Sequence, residues 1–182
     1  GDNIATYCIL DSDYHSNKEK NKRYEQAKEH GMNLHIWERK EIENYLLNPT
    51  VIERAIKART KQTPPTPDDV HTFLKAACDE EKDTVLDAMA TIIFAEDKSL
   101  GLPGANKTAR ELLKQTWDKN KLHIVSGKTL LTRLRRWAQE TYTVSIGAAT
   151  LARSFSAGDV PQELQAIFAS IHDGTRFPNQ DS

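Results

Sequence analysis

ILDSDYHSNKEK, residues 9–20, decides how the chain is read. An apolar, β-branched run ends in two aspartates one residue apart and gives way to lysines. This is the pattern of a strand that delivers acidic side chains at its carboxyl end and then enters a helix. In an extended segment the side chains at 11 and 13 share a direction, so both carboxylates approach one site. MNLHIW at 32–37 reads as a second strand, following a strand over 4–10. Between them the polar stretch from 18 to 30, with Tyr24, Ala27 and His30 turned inward, reads as a helix stopped by Gly31. Strand, helix and strand in this span suit a parallel crossover, and such sheets place their sites beyond the carboxyl ends of the strands. The predicted fold class is α/β.

The chain has 182 residues, 38% hydrophobic and 28% charged, as an ordinary globular domain does. Its net charge of -1 conceals a division along the chain: residues 68–97 hold nine acids and two bases, and residues 107–136 hold nine bases and two acids. Opposite blocks of this size can give one positive face, or simply two solvated helix faces. Cys8 and Cys78 form no metal-binding or disulfide pattern and read as free thiols in a reducing compartment. With neither a signal sequence nor an apolar run long enough to span a membrane, the expected location is cytoplasmic. A strand end carrying site residues so close to Gly1 suggests a fragment of a longer protein.

Past Trp37 the sequence reads as mostly helical. ERKEIENYLLNPTVIERAI (38–56) suits two short helices around a turn at Asn48 and Pro49, and the prolines 64, 65 and 67 mark a rigid loop. Thr66 is a cap, Pro67 a first helical residue, and Asp69 lies near exposed amides. The apolar stripe from Phe73 to Ile93 is core, broken near Glu81. LGLPGANK (100–107) reads as a loop before a helix at 107–117, SGKTLLTRLRRWAQETY (126–142) as a loop and basic helix, and two further helices precede a tail from Phe177 with little fixed structure.

Three places can carry chemistry. Asp11 and Asp13 are hard oxygen ligands suited to Mg²⁺ or Mn²⁺, or else acidic turn residues capping the next helix. Glu41 and Glu43 follow the second strand, with Glu43 the stronger ligand candidate; Asn44 orients a carboxylate or caps a neighbouring backbone group. In SGK, Gly127 permits an unusual backbone turn and Lys128 can reach a phosphate, although the segment lacks the earlier glycine of a nucleotide-binding phosphate loop. Arg133, Arg135 and Arg136, with Lys121, can track a nucleic-acid backbone or pair with the acidic block. Trp137 reads as core, and His15 as a loop histidine making an ordinary hydrogen bond.

ILDSDY at 9–14, ERKEIENYLLNP at 38–49, SGKTLL at 126–131 and VPQELQAIFASI at 160–171 together resemble the Toprim nuclease region of overcoming lysogenization defect (OLD) family proteins and related antiphage effectors. The resemblance implies a truncated Toprim-like, Rossmann-like parallel sheet. Its catalytic core would comprise residues 1–60 and 120–142, with a helical insertion at 61–119 and C-terminal helices and a polar tail at 143–182. It implies a divalent-metal-dependent endonuclease acting with an ABC-type ATPase, fused or separate, in antiphage defence. Asp11, Asp13, Glu43 and Lys128 would be catalytic. Asp11, Asp13, Glu43 and Glu41 would hold Mg²⁺ or Mn²⁺, and Lys128, Arg133, Arg135 and Arg136 would contact nucleic acid. Ser12 and Asn44 would support them, and a further glutamate would lie upstream of this chain. The target, DNA or RNA, stays open, as does formation of a homodimer. A noncatalytic nucleic-acid-binding module, or a helical regulatory or dimerisation module, is the alternative reading.

Overall fold

A computed structural model describes residues 6–178. The first strand, β1 (Tyr7–Leu10), pairs in parallel with β2 (Asn33–Ile36), and α1 (Asn17–Glu29) is the crossover between them. Gly1, the predicted strand start at Ile4 and residues 179–182 of the polar tail lie outside the described residues. Ser16 caps α1 by accepting from the Glu19 amide at 3.2 Å, and Gly31 takes a φ of 66° in the turn to β2.

The pleat divides the strand residues between two layers. Leu34 and Ile36 of β2, with Cys8 and Leu10 of β1, pack against Ala27 and Tyr24 of α1. Tyr7 and Trp37 turn the other way and meet Tyr45, Ile167 and Phe177.

The rest is helical: a 3₁₀ turn at Ile42–Leu46, then α2 (Pro49–Lys57), α3 (Pro67–Glu80), α4 (Lys82–Glu96), α5 (Gly101–Ile124), α6 (Gly127–Tyr142), α7 (Ala148–Ser154) and α8 (Gln162–Asp173). The molecule is mostly helical around a small two-stranded parallel sheet, which is compatible with an α/β class. Asn48 caps α2, and Thr66 and Asp69 form a reciprocal capping box ahead of α3. The chain breaks at Glu81, between α3 and α4. The main core joins Ile52 and Ile56 of α2, Leu74 of α3, Leu113 and Trp117 of α5, Leu130 and Leu134 of α6 and Leu151 of α7. Helices from the 61–119 segment thus share one core with α2 and α6. Trp137 stacks on Phe73 at 4.5 Å between centroids, as core rather than as an open platform.

Two expectations need correction. LGLPGANK is not a loop: α5 begins at Gly101 and continues through Pro103 and Gly104. A proline in the first turn forfeits no intrahelical hydrogen bond, so Pro103 is tolerated there. Phe177 is not in a loose tail; it is fully buried, with its ring 5.3 Å from Tyr7 and 5.7 Å from His35. Among the described residues no helix is long and apolar enough to cross a membrane.

Candidate functional site at the strand ends

β1 ends at Leu10, and the next four residues turn sharply, with φ of 41° at Asp13 and 61° at Tyr14. Aspartate tolerates this left-handed region better than most residues, and tyrosine less well, so the surroundings must hold the turn. The Ser12 amide donates to Lys40 O at 3.0 Å, and the His15 amide to Ser12 O at 3.0 Å. The Tyr14 hydroxyl donates to Ile124 O at 2.7 Å, and Lys20 Nζ donates to the buried Ser12 hydroxyl at 2.5 Å. His15 accepts from Arg23 at 2.9 Å and donates through Nδ1 to Glu96 at 3.0 Å, an ordinary hydrogen-bonding role.

The second segment leaves β2 at Ile36 and passes beside the first. The Lys40 amide donates to His123 O at 2.8 Å, so the Lys40 backbone ties the aspartate turn to the end of α5. Asn44, wholly buried, accepts from the Glu41 amide at 3.0 Å and donates to Leu122 O at 2.9 Å and Val125 O at 2.8 Å. Its role is therefore local: it fastens the 3₁₀ turn to the α5–α6 junction.

The third segment is the start of α6. Gly127 lies against the 3₁₀ turn so closely that a Cβ there would come within 2.6 Å of the Asn44 nitrogen and 2.9 Å of the Glu43 carbonyl carbon. Ser126 caps the helix, and the Glu41 carboxylate completes the cap. It accepts from the Ser126 hydroxyl at 3.2 and 3.3 Å and from the Lys128 amide at 3.1 Å. A carboxylate at a helix N-terminus suits the helix dipole. Glu41, expected as a metal ligand, is buried here with its oxygens engaged in holding α6.

These contacts bring together five of the residues singled out from the sequence: Asp11, Asp13, Glu41, Glu43 and Lys128. Lys128 Nζ is 3.8 Å from Asp11 Oδ2, with the lysine side chain 61% exposed. Lys40 Nζ reaches Asp13 Oδ1 at 3.2 Å and Glu41 Oε1 at 3.5 Å, with its ammonium 4.8 Å from the Tyr14 ring centre. Glu43 Oε2 is buried and has no hydrogen-bond partner among the described residues. Burial raises the Asp11 pKa above the ordinary carboxylate value; Lys128 opposes the rise, while Asp13, Glu41 and Glu43 add to it.

Asp11, Asp13 and Glu43 fit a divalent ion by chemistry: all are hard oxygen ligands, and Glu43 has an unpaired buried oxygen. Among the described residues, however, no three histidine, cysteine or acidic side chains are grouped closely enough to hold one ion in this conformation. Lys40 and Lys128 are the cations that now face the aspartates.

The basic side chains divide. Arg135 and Arg136 are exposed on α6. Arg133 is not available to track a backbone, because its guanidinium pairs with Glu80 and Glu81 at the end of α3. Lys121 likewise binds both carboxylate oxygens of Asp79 at 2.7 Å. For these two, pairing with the acidic block is the reading the structure supports.

Sequence reasoning missed Lys40, Lys20 and Glu163. Glu163, in the first turn of α8, accepts from His35 Nε2 at 2.8 Å and from the Glu38 amide at 2.9 Å, and also binds the Tyr45 hydroxyl. Burial alone would raise its pKa, but these hydrogen bonds outweigh it and hold the carboxyl below its usual value. Lys40 was hidden in a run of alternating charges, and nothing local marks Glu163 as partly buried against the sheet.

No family model matches the chain, and comparison with curated proteins and with solved structures found no match either.

Proposed function

We propose that the chain is the catalytic part of a divalent-metal-dependent endonuclease of Toprim-like fold, acting with an ABC-type ATPase in antiphage defence. The observation that carries the reading is the approach of Lys128 to Asp11 at 3.8 Å, beyond the carboxyl ends of two parallel strands, with Glu43 alongside. Three segments far apart in sequence meet there, and they carry carboxylates and an exposed amine, the residue types phosphodiester hydrolysis needs. A small parallel sheet among helices is compatible with the α/β class this reading needs.

In this reading Asp11, Asp13 and Glu43 hold Mg²⁺ or Mn²⁺, which when bound activates water and offsets charge on the scissile phosphate. Lys128 places its ammonium beside that phosphate and neutralises charge as the bond breaks. Glu41 and Asn44 keep the α6 terminus in register with the turn, which fixes where Lys128 points. Arg135 and Arg136 give the same helix a positive outer face for the nucleic-acid backbone, DNA or RNA.

A second reading, a noncatalytic nucleic-acid-binding or helical regulatory or dimerisation module, is favoured by the absence of three converging ligands among the described residues. One experiment separates the two: magnesium- and manganese-dependent cleavage of plasmid DNA, single-stranded DNA and tRNA by the natural polypeptide with its ATPase, beside D11A/D13A. Metal-dependent cutting that disappears in the double variant is the expected result. Cutting that survives both substitutions refutes the nuclease site, and no cutting by either form favours the module.

A further inference from the structure

Lys40 is the least expected feature of the candidate site. Its side chain is only 14% exposed, and its ammonium sits between Asp13 at 3.2 Å and Glu41 at 3.5 Å, over the Tyr14 ring. Its backbone is held from both sides, by Ser12 and by His123. The stem is therefore anchored while the charged end rests on one of the carboxylates read above as ligands. Lysine is a compact point charge on a flexible stem, and it can swing away without moving the anchored backbone. Glu41 keeps its contacts with Ser126 and the Lys128 amide whichever way the ammonium points.

We propose that Lys40 is a tethered counter-ion that occupies the cation position beside Asp13 and must leave it for a divalent ion to bind. The inference rests on the metal-binding reading of the site and adds a regulator to it. Lys40 competes with a divalent ion for Asp13 and so sets the metal concentration at which Asp13 is filled. Neutralising it strengthens divalent-ion binding, which is the reverse of what removing a ligand, or a residue needed for the shape of the site, would do.

The test is direct Mn²⁺ binding to the natural polypeptide by titration calorimetry, with folding of each variant checked by circular dichroism. K40M, which keeps the stem, is expected to bind Mn²⁺ roughly tenfold more tightly, the scale of a well-placed ion-pair coupling; K40R is expected to bind as the parent does. A second measurement needs no variant: acetylation of Lys40, followed by mass spectrometry, is expected to speed up as Mn²⁺ saturates the site. Unchanged or weaker Mn²⁺ binding by K40M overturns the proposal, as does a Lys40 acetylation rate indifferent to Mn²⁺. If D11A/D13A abolishes binding while K40M leaves it unchanged, the metal reading stands and the counter-ion role falls. If the natural polypeptide and its K40M variant both fail to bind Mn²⁺, both fall together.

Discussion

Substituting Gly127 with alanine tests whether the site depends on the contact between α6 and the 3₁₀ turn. The new Cβ would lie 2.6 Å from the Asn44 nitrogen and 2.9 Å from both the Glu43 carbonyl carbon and its Cβ. Ordinary carbon contacts begin near 3.5 Å, so the helix start must retreat by roughly 1 Å. Asn44 cannot yield easily, because its side chain holds the backbone at Glu41, Leu122 and Val125. Overpacking of this kind costs about 1–3 kcal/mol, and the retreat also stretches the hydrogen bond from the Lys128 amide to the Glu41 carboxylate, so a total of about 2–5 kcal/mol is expected. For a chain of this size that lowers the melting temperature by roughly 10 °C. Thermal unfolding followed by circular dichroism measures it, with Gly158→Ala, where a Cβ meets nothing within 4 Å, as the control. Metal-dependent cleavage should fall with it, because Lys128 moves away from Asp11. A melting temperature for G127A within about 2 °C of the parent, with the control equally unaffected, would refute the argument that this approach is tight.

Other consequences follow from the same geometry. Lys128→Met should lower cleavage roughly 10²-fold while leaving thermal stability nearly unchanged, since the side chain is exposed; steady-state kinetics and a melt on one preparation check both. It should also move the acid limb of the cleavage pH profile upward, because Lys128 is the group opposing the raised Asp11 pKa; a limb that stays in place contradicts this. Phe177→Ala should cost about 3–5 kcal/mol in urea unfolding, as expected for a fully buried aromatic. Glu163→Gln should loosen α8. The folded carboxyl lies below its ordinary value of 4.5, so its stabilisation is present above that pH and is lost as pH falls through the folded value. The parent chain should therefore lose more stability than E163Q between neutral and acid pH, measured by urea midpoints.

Much of the sheet and several helix boundaries were legible because local chemistry and tertiary packing agree there. Gly31, Asn48 and Thr66 each sit at a boundary that their side chains or backbone freedom specify. The opening of α5 was not legible, since Gly101, Pro103 and Gly104 are all punctuation residues, yet the proline falls in the first turn where its missing N–H is no loss. Phe177 carried an unused signal: Gly174 ends α8 in the left-handed conformation, and an apolar residue soon after such a stop often folds back onto the helix or its neighbours. Arg133 illustrates the limit from the other side. Its pairing with Glu80 and Glu81 depends on α3 lying beside α6, which no window of sequence reports.

The same limit explains how two glutamates two residues apart acquire opposite roles. Glu41 stands ahead of the 3₁₀ turn and meets the exposed amides of α6, so its charge is used by a helix end and its hydrogen-bonding capacity is taken up. Glu43 lies within the turn, against Gly127, where one oxygen is buried without a donor. A buried carboxylate oxygen left unpaired is costly. A cation reaching Glu43 would remove that cost, so metal binding should also stabilise the fold. This makes Glu43, rather than Glu41, the carboxylate whose loss ought to weaken metal binding without first unseating α6. On the metal-binding proposal, Mn²⁺ should raise the parent's melting temperature, and E43Q should keep the parent's melting temperature in the absence of metal but lose that rise. E41Q should melt earlier in both conditions.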